Sequence, residues 1–543
     1  MSVRHLIRSG ALVLTCVFAR RSVAQSTTSL IPDASVLPRG AVGFRLLTSW
    51  TRYDQFLGVG DAHNIASTLN TDSLGSALVP QFAIAENAIR TASGLSNFRL
   101  TAGNLVAIGD SRIVTAPLMA QYGLTSRLTI GVVVPLVETR TTLFAQLNPK
   151  PGFANVGPNP AFASAQQLAQ NAALVSSFRR AATDLQAKLT SCQATPTGDG
   201  CSALLAQLPA AQSLIQTTTS FAGAVETLYG TDKDHPGQAF VPISGGAAQL
   251  AVNAQIQSMI AQYQTFLGTS PITGAAVGAG GPGARAAFQN LLNSLGRDSL
   301  QSTDRTSIGD ISIGATYQLA NNFSDTTASA SRYRVAVNGT LRLGTGEPAS
   351  RQRLLDIATG YGQTGVEIGG AADVQFGRRY SATATGSYTL QLGTVDVTRL
   401  ANPGNALLPL DVRPLNIGGT YSAGNVATLS IVPRIRVAGY FAITGQYSLV
   451  HTGADQYAVV GPIPPDGSTS TNAAPLTGLG AAAATAQQVG FGVAYSTIVG
   501  RERGPGRLPF EASFSHLETI SASGGPVAKT FRDQIELRVF FLR

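Results

Sequence analysis

The side chains here that could do chemistry fall into a few groups, and most are badly placed for it. Ser513, Ser515 and His516 lie close together, and a serine held against a histidine would make an acyl-transfer pair. Along an extended strand, however, successive side chains point to opposite faces, so the adjacent Ser515 and His516 are kept apart. Asp232, Asp234 and His235 cluster among turn formers. A metal site needs more ligands in a defined geometry, and a solvated turn accounts for these three. Gly278-Ala-Gly-Gly-Pro-Gly283 has G-x-G-x-x-G spacing, but Pro282 interrupts it and no βαβ unit surrounds it, which leaves a flexible link. No H-E-x-x-H motif or nucleophile elbow occurs, so no enzymatic activity, cofactor or metal is expected.

A larger set is more informative. Asp310, Arg334, Arg342, Glu367, Asp373, Arg434, Arg436, Glu511, Arg532, Glu536 and Arg538 sit at positions that alternate with apolar residues; six are cationic and five anionic. Brought onto one face around an enclosed interior, they would pair into salt bridges that narrow it, rather than form a strongly ion-selective ring.

The elements that would position them are long strands of period two. In 310–319, Ile311, Ile313, Ala315, Tyr317 and Leu319 oppose Asp310, Ser312, Gly314, Thr316 and Gln318. In 333–343, Tyr333, Val335, Val337, Leu341 and Leu343 oppose Arg334, Asn338, Thr340 and Arg342, and at the end Ile535, Leu537, Val539 and Phe541 oppose Gln534, Glu536 and Arg538. These runs exceed the usual strand of about five or six residues and are long enough to cross a bilayer when tilted. Aromatic residues near strand ends (Tyr317, Tyr333, Phe376, Tyr380, Phe441, Phe541) suit interfacial girdles.

The pattern predicts twelve strands near 41–53, 111–123, 128–144, 305–319, 332–345, 363–376, 380–397, 426–437, 440–452, 487–500, 508–521 and 528–543. An ambiguous stretch near 97–108 leaves fourteen as an alternative. Short connections (124–127, 320–331, 377–379, 438–439, 501–507) alternate with long ones (54–110, 145–304, 346–362, 398–425, 453–486), and 522–527 is a short outer turn. The expected fold is therefore an all-β transmembrane antiparallel barrel, apolar face to lipid and polar face to the lumen. A one-residue slip would exchange the faces.

Composition agrees. Of 543 residues 12% are charged and 44% apolar. Charge is about half the usual share, which argues against disorder. With four Lys and scattered Arg, no nucleic-acid partner is expected. No apolar run after residue 24 reaches the roughly 20 residues of a membrane helix, and the stretch Gly10–Ala19 is too short to be one.

Residues 1–24 read as a signal peptide: Arg4, His5 and Arg8, a short apolar stretch, then Ser22-Val23-Ala24. The barrel is then expected over 25–154 and 301–543, divided by an insertion at 155–300. There Ala, Gln and Leu rise at helical spacing over 166–190, 202–229, 247–266 and 284–295. Ser202 is a candidate cap for the second helix and Gly230 its end. By strand parity this helical insertion lies on the extracellular side, as a cap, a plug or a decoration. Cys192 and Cys201 flank turn chemistry, and in an exported chain they are expected to form a disulfide.

Four segments carry a family resemblance. Tyr122-Gly-Leu-Thr-Ser-Arg-Leu-Thr-Ile-Gly-Val-Val-Val-Pro135, Ile308-Gly-Asp-Ile-Ser-Ile-Gly314, Leu343-Gly-Thr-Gly-Glu347 and Gly360-Tyr-Gly-Gln-Thr-Gly365 resemble, in the same order, segments of the outer-membrane channels named for the meta-pathway of phenol degradation. That group is related to the long-chain fatty-acid transporters. The resemblance covers roughly 111–145 and 305–452. It implies passive diffusion of small, largely hydrophobic solutes across the outer membrane of a diderm bacterium. Outer-membrane lipid, such a solute and the barrel-assembly machinery are the partners implied. The alternative is a structural or adhesive barrel that displays a helical surface domain without transport.

Overall fold

The structure is a computed structural model. It describes residues 33–541 except 59, 151, 284–288, 290–302, 324–330, 350–355, 398, 401–409, 412–416, 463–472, 477–480 and 498–508. The expected signal peptide and the helix predicted at 284–295 lie outside the described residues, apart from Gln289.

The chain divides into two compact units, one of residues 1–68, 108–144 and 300–543, the other of 69–107 and 145–299. The first is a closed antiparallel barrel. Its strands are β1 (Val42–Tyr53), β2 (Leu105–Gly123), β3 (Leu128–Leu147), β4 (Thr303–Ile308 continued by Ser312–Asn321), β5 (Ser331–Arg342), β6 (Thr364–Phe376), β7 (Tyr380–Leu392), β8 (Val426–Ala438), β9 (Phe441–Thr452), β10 (Ala484–Ser496), β11 (Phe510–Gly524) and β12 (Phe531–Phe541). Each pairs with the next, β12 pairs with β1, and β1 with β2. Both halves of β4 pair with β3, so thirteen sheet segments close into twelve staves. Closure leaves no unpaired edge, the condition for a sheet in a bilayer. The fourteen-strand alternative falls away: Leu105–Ile108 simply lengthen β2.

The alternation has the expected sidedness. Large apolar side chains stand on the outside, among them Ile313, Tyr317, Leu319, Ile368, Ile431, Ile443, Ile535 and Phe541, each at least 44% exposed. Their neighbours Thr316, Gln318, Asn338, Thr340 and Thr389 are buried inside. Aromatic residues gather where β1, β5, β7 and β9 begin and β4, β6 and β12 end: Phe44, Tyr333, Tyr380, Phe441, Tyr317, Phe376 and Phe541. The tight turns there need little chain. Gly377 opens the β6–β7 turn at φ +59°, a conformation that favours glycine.

The helical unit is wider than the sequence suggests. It begins at Ala145 rather than 155, and it takes in 69–107, where the pattern showed no helix. Its helices are α1 (Phe82–Ser93), α2 (Ala165–Ala194), α3 (Cys201–Ala206), α4 (Leu208–Tyr229) and α5 (Ala247–Leu267). Ser164 caps α2 by accepting from the Gln167 N–H at 3.2 Å. The predicted second helix is broken at Gln207, with Pro209 in the first turn of α4. Gly200, not Ser202, precedes α3, while Gly230 ends α4 as expected. Phe178 and Phe221 stack edge-to-face at 5.0 Å between α2 and α4. The Tyr229 hydroxyl, its pKa raised by burial, donates to Gln249 Oε1 at 2.7 Å. Asn159 and Asn171 donate to the Tyr229 carbonyl left open at the end of α4.

Cys192 and Cys201 are disulfide-bonded between α2 and α3. A ring this short is worth roughly 2.5–3 kcal/mol in the chain-entropy model. Replacing both with Ser should lower the stability of the helical unit by about that amount, read as an earlier urea transition of the helical circular-dichroism signal.

The other early candidates resolve simply. Asp232 Oδ1 accepts the backbone N–H of Asp234 and of His235, both at 2.8 Å, in an exposed turn. The His235 N–H is the main cause of the lowered Asp232 pKa. Gly278–Gly283 runs as coil, with Ala279 bridged to Ile243.

Candidate functional site

The barrel encloses a cavity of about 1740 Å³. Of the eleven sequence-predicted luminal residues, Arg334, Asp373, Arg434, Arg436, Glu511, Arg532, Glu536 and Arg538 line it. Asp310, Arg342 and Glu367 point inward but are buried in the wall. The surroundings of ten of them form three arrangements; the eleventh, Arg532 of β12, lines the cavity outside all three.

The first crosses the lumen. Ahead of β1, the segment from Asp33 to Gly40 enters the barrel. Asp33 Oδ2 accepts from Arg538 Nη1 of β12 at 2.8 Å, and its Oδ1 lies 3.7 Å from Arg334 Nη2 of β5. Arg334 Nε also binds Asp373 of β6 at 2.6 Å, and Arg538 pairs with Glu536 and with Glu511 of β11. Glu536 in turn binds Arg45 of β1 at 2.6 Å. Asp33 thus ties nearly opposite staves together. The next residues are anchored too. Ala34 N–H donates to Asp373 Oδ2 at 2.9 Å, Gln318 Nε2 to the Ala34 carbonyl at 3.0 Å, and Leu37 N–H to Thr129 Oγ1 at 2.8 Å. Room for the segment comes from small side chains: Ala34, fully buried, packs against Ala336 and Ala371, with Met119 and Val133 beside them. The expectation of pairing among luminal charges fits here, but its centre is Asp33, which lies outside any strand and carries no periodic signal. Arg45 was detectable, since it alternates with the outward Phe44 and Leu46.

The second arrangement centres on Asp310, between the halves of β4. Its carboxylate accepts the N–H of Gly346 at 2.8 Å and of Tyr361 at 2.7 Å, with Arg342 Nε at 3.7 Å. Arg342 lies over the Tyr361 ring at 4.3 Å. A Cβ at Gly360 would sit 2.6 Å from Asp310 Oδ1, so the chain approaches this closely because Gly360 has no side chain. Three of the motifs that carry the family resemblance therefore meet at one carboxylate. They draw 343–349 and 356–363 together, with Tyr361 bordering the cavity. Glu367 performs a similar task within the wall, accepting from Thr389 at 3.3 Å. Asp310→Ala leaves two N–H groups without their acceptor, at about 1–3 kcal/mol each. The expected result is faster protease cleavage between β5 and β6 with the barrel intact, seen as a nicked chain that still migrates as folded barrel.

The third arrangement is a set of arginines at the tight-turn end, Arg332, Arg378, Arg434 and Arg436, all bordering the cavity. Of these the sequence reading named Arg434 and Arg436. Arg332 belongs to the same alternation as Arg334, and Arg378 lies in the β6–β7 turn.

Ser513 and Ser515 line the cavity. His516 instead pairs with Asp533 at 2.7 Å and contacts the outward Phe491 ring, 5.5 Å between centroids. The serine and histidine are thus on opposite faces, as parity requires. Among the described residues no three His, Cys, Asp or Glu side chains gather as a metal cluster would need.

Known structures with a similar chain trace include an outer membrane channel from Pseudomonas putida F1, 10% identical over 94% of this chain and 99% of that one, with a TM-score of 0.39. The Pseudomonas putida toluene transporter TodX is 12% identical over 93% and 89%, TM-score 0.23. A Pseudomonas aeruginosa FadL homologue is 10% identical over 92% and 90%, TM-score 0.24. No family model matches the sequence, and no curated protein does. At these scores the likenesses establish neither fold nor activity; the barrel rests on its own strand register.

Proposed function

We propose that this chain is an outer-membrane channel for passive diffusion of small hydrophobic solutes. The observation that carries the reading is the sidedness of the closed barrel: an apolar exterior suited to acyl chains surrounds a polar-lined cavity of about 1740 Å³. The motifs meeting at Asp310 support placing it with the phenol meta-pathway group. On this reading 1–24 directs export, outer-membrane lipid surrounds the barrel, and the barrel-assembly machinery inserts it. The helical unit belongs outside the cell, because each of its pieces joins an odd-numbered strand to the next even one. No covalent step is required; the solute moves down its gradient, and the Asp33–Gly40 segment controls the bore.

A second reading, a display barrel without transport, is favoured by one observation: that same segment crosses the lumen and is tied to staves on both sides of it. Conductance in planar bilayers separates the two. The full chain and a form lacking 155–300 should both give openings under the channel reading. Silence from both, together with no solute uptake, would favour the display barrel.

A further inference from the structure

Counting luminal charges suggests balance, but the register shows that they are segregated. One inward-facing row runs Arg334–Asp373–Thr383–Val432 across β5, β6, β7 and β8. In it Arg334 has its carboxylate, Asp373, at 2.6 Å. The next row toward the tight turns runs Arg332–Gln375–Ser381–Arg434. The position occupied by Asp373 is here Gln375, and no described carboxylate pairs with Arg332 or Arg434. Arg436 extends the row along β8 and Arg378 hangs from the turn between β6 and β7. All six side chains border the cavity. Four cations therefore share one quadrant of the wall, Arg332 and Arg434 about 14 Å apart across three strand spacings. Arg434 and Arg436, two residues apart on the same face of β8, are the close pair, and such like charges repel unless something anionic neutralises them.

We propose that Arg332, Arg378, Arg434 and Arg436, with Gln375 and Ser381 as neutral hydrogen-bonding groups, form a binding site for the anionic head of an amphiphilic solute such as an aromatic or aliphatic carboxylate. The inference rests on the channel reading and narrows its substrate class. A guanidinium offers a planar fork that fits a carboxylate bidentately. The apolar part of the solute has Val432, inward on β8, and the Phe323 ring, over which Arg334 lies at 4.8 Å. The paired row keeps Arg334 occupied with Asp33 and Asp373, so an incoming anion meets the unpaired row as the available charge. A solute that has moved past the Asp33–Gly40 segment is thereby drawn to the turn-end mouth, the periplasmic end on this reading.

The test is equilibrium dialysis of the purified full-length protein against 1-naphthoate and its neutral counterpart 1-naphthamide. Wild-type protein is expected to bind naphthoate at least tenfold more tightly, with the advantage shrinking as salt is raised. The Arg434→Gln/Arg436→Gln double variant should bind both equally, while the Arg434→Lys/Arg436→Lys variant keeps a preference for the anion. Equal binding of the two probes by wild type, or an unchanged preference in the Gln double variant, overturns the proposal. So does displacement of naphthoate by inorganic phosphate at equal concentration, which would mark a general anion site with no role for the apolar body. Conductance is measured on the same preparations: if the pore conducts without preferring the anion, this inference fails and the channel reading stands.

Discussion

Deleting Asp33–Pro38 is expected to turn a narrow, intermittently open pore into one of much larger and steadier conductance. The segment is bound to β3, β4, β5, β6 and β12 but belongs to none of them. Its removal takes no ladder hydrogen bond from the barrel. Beside the small apolar packing of Ala34, its polar contacts are few, each of a strength that a local rearrangement could overcome. A hydrogen bond to a charged group is worth about 1.5–3 kcal/mol. Asp33→Asn, which weakens the contacts to Arg538 and Arg334 without changing shape, should raise the open fraction roughly tenfold. The deletion should exceed that. Single-channel recording in planar bilayers checks both, and equal currents from wild type, Asp33→Asn and the deletion would show that the segment does not limit the bore.

The second large effect concerns neighbouring residues of β8. Ile431 is outward and 45% exposed, near the middle of its strand. Ser430 is inward, borders the cavity, and accepts from Ser448 at 2.9 Å. Ile431→Arg places a guanidinium among acyl chains, at roughly 2–4 kcal/mol near the bilayer midplane. Ser430→Arg places the same group in a polar interior, where substitutions tune selectivity and a much smaller cost is expected. Reversible urea unfolding in lipid vesicles should show a large loss for the first and a small one for the second. The reverse order would mean that the faces have been exchanged.

Much of this was readable because period-two alternation is enforced by burial on one side and lipid on the other. Twelve strands, their sidedness and eight cavity-lining charges follow from it. The parts that escaped lack such a constraint. Asp33 acts by where the chain carries it, not by any repeat. Helix α1 lies in 69–107, a stretch read as a loop between strands. Asp310 was identified as luminal, but its task of gathering Gly346 and Tyr361 depends on a loop fold that no local pattern encodes. The cationic quadrant was hidden by counting charges: six against five resembles neutrality until the register shows which row has its carboxylate and which has Gln375 instead.

The most direct test of the central claim is uptake of a small hydrophobic solute into vesicles. Proteoliposomes carrying the full chain, the Asp33–Pro38 deletion or no protein would be given naphthalene, with an enclosed cyclodextrin trap to report its arrival. The account predicts faster arrival with the full chain than with bare lipid, and faster still with the deletion. Rates indistinguishable from bare lipid for both proteins, in vesicles where the barrel is folded and inserted, would contradict it.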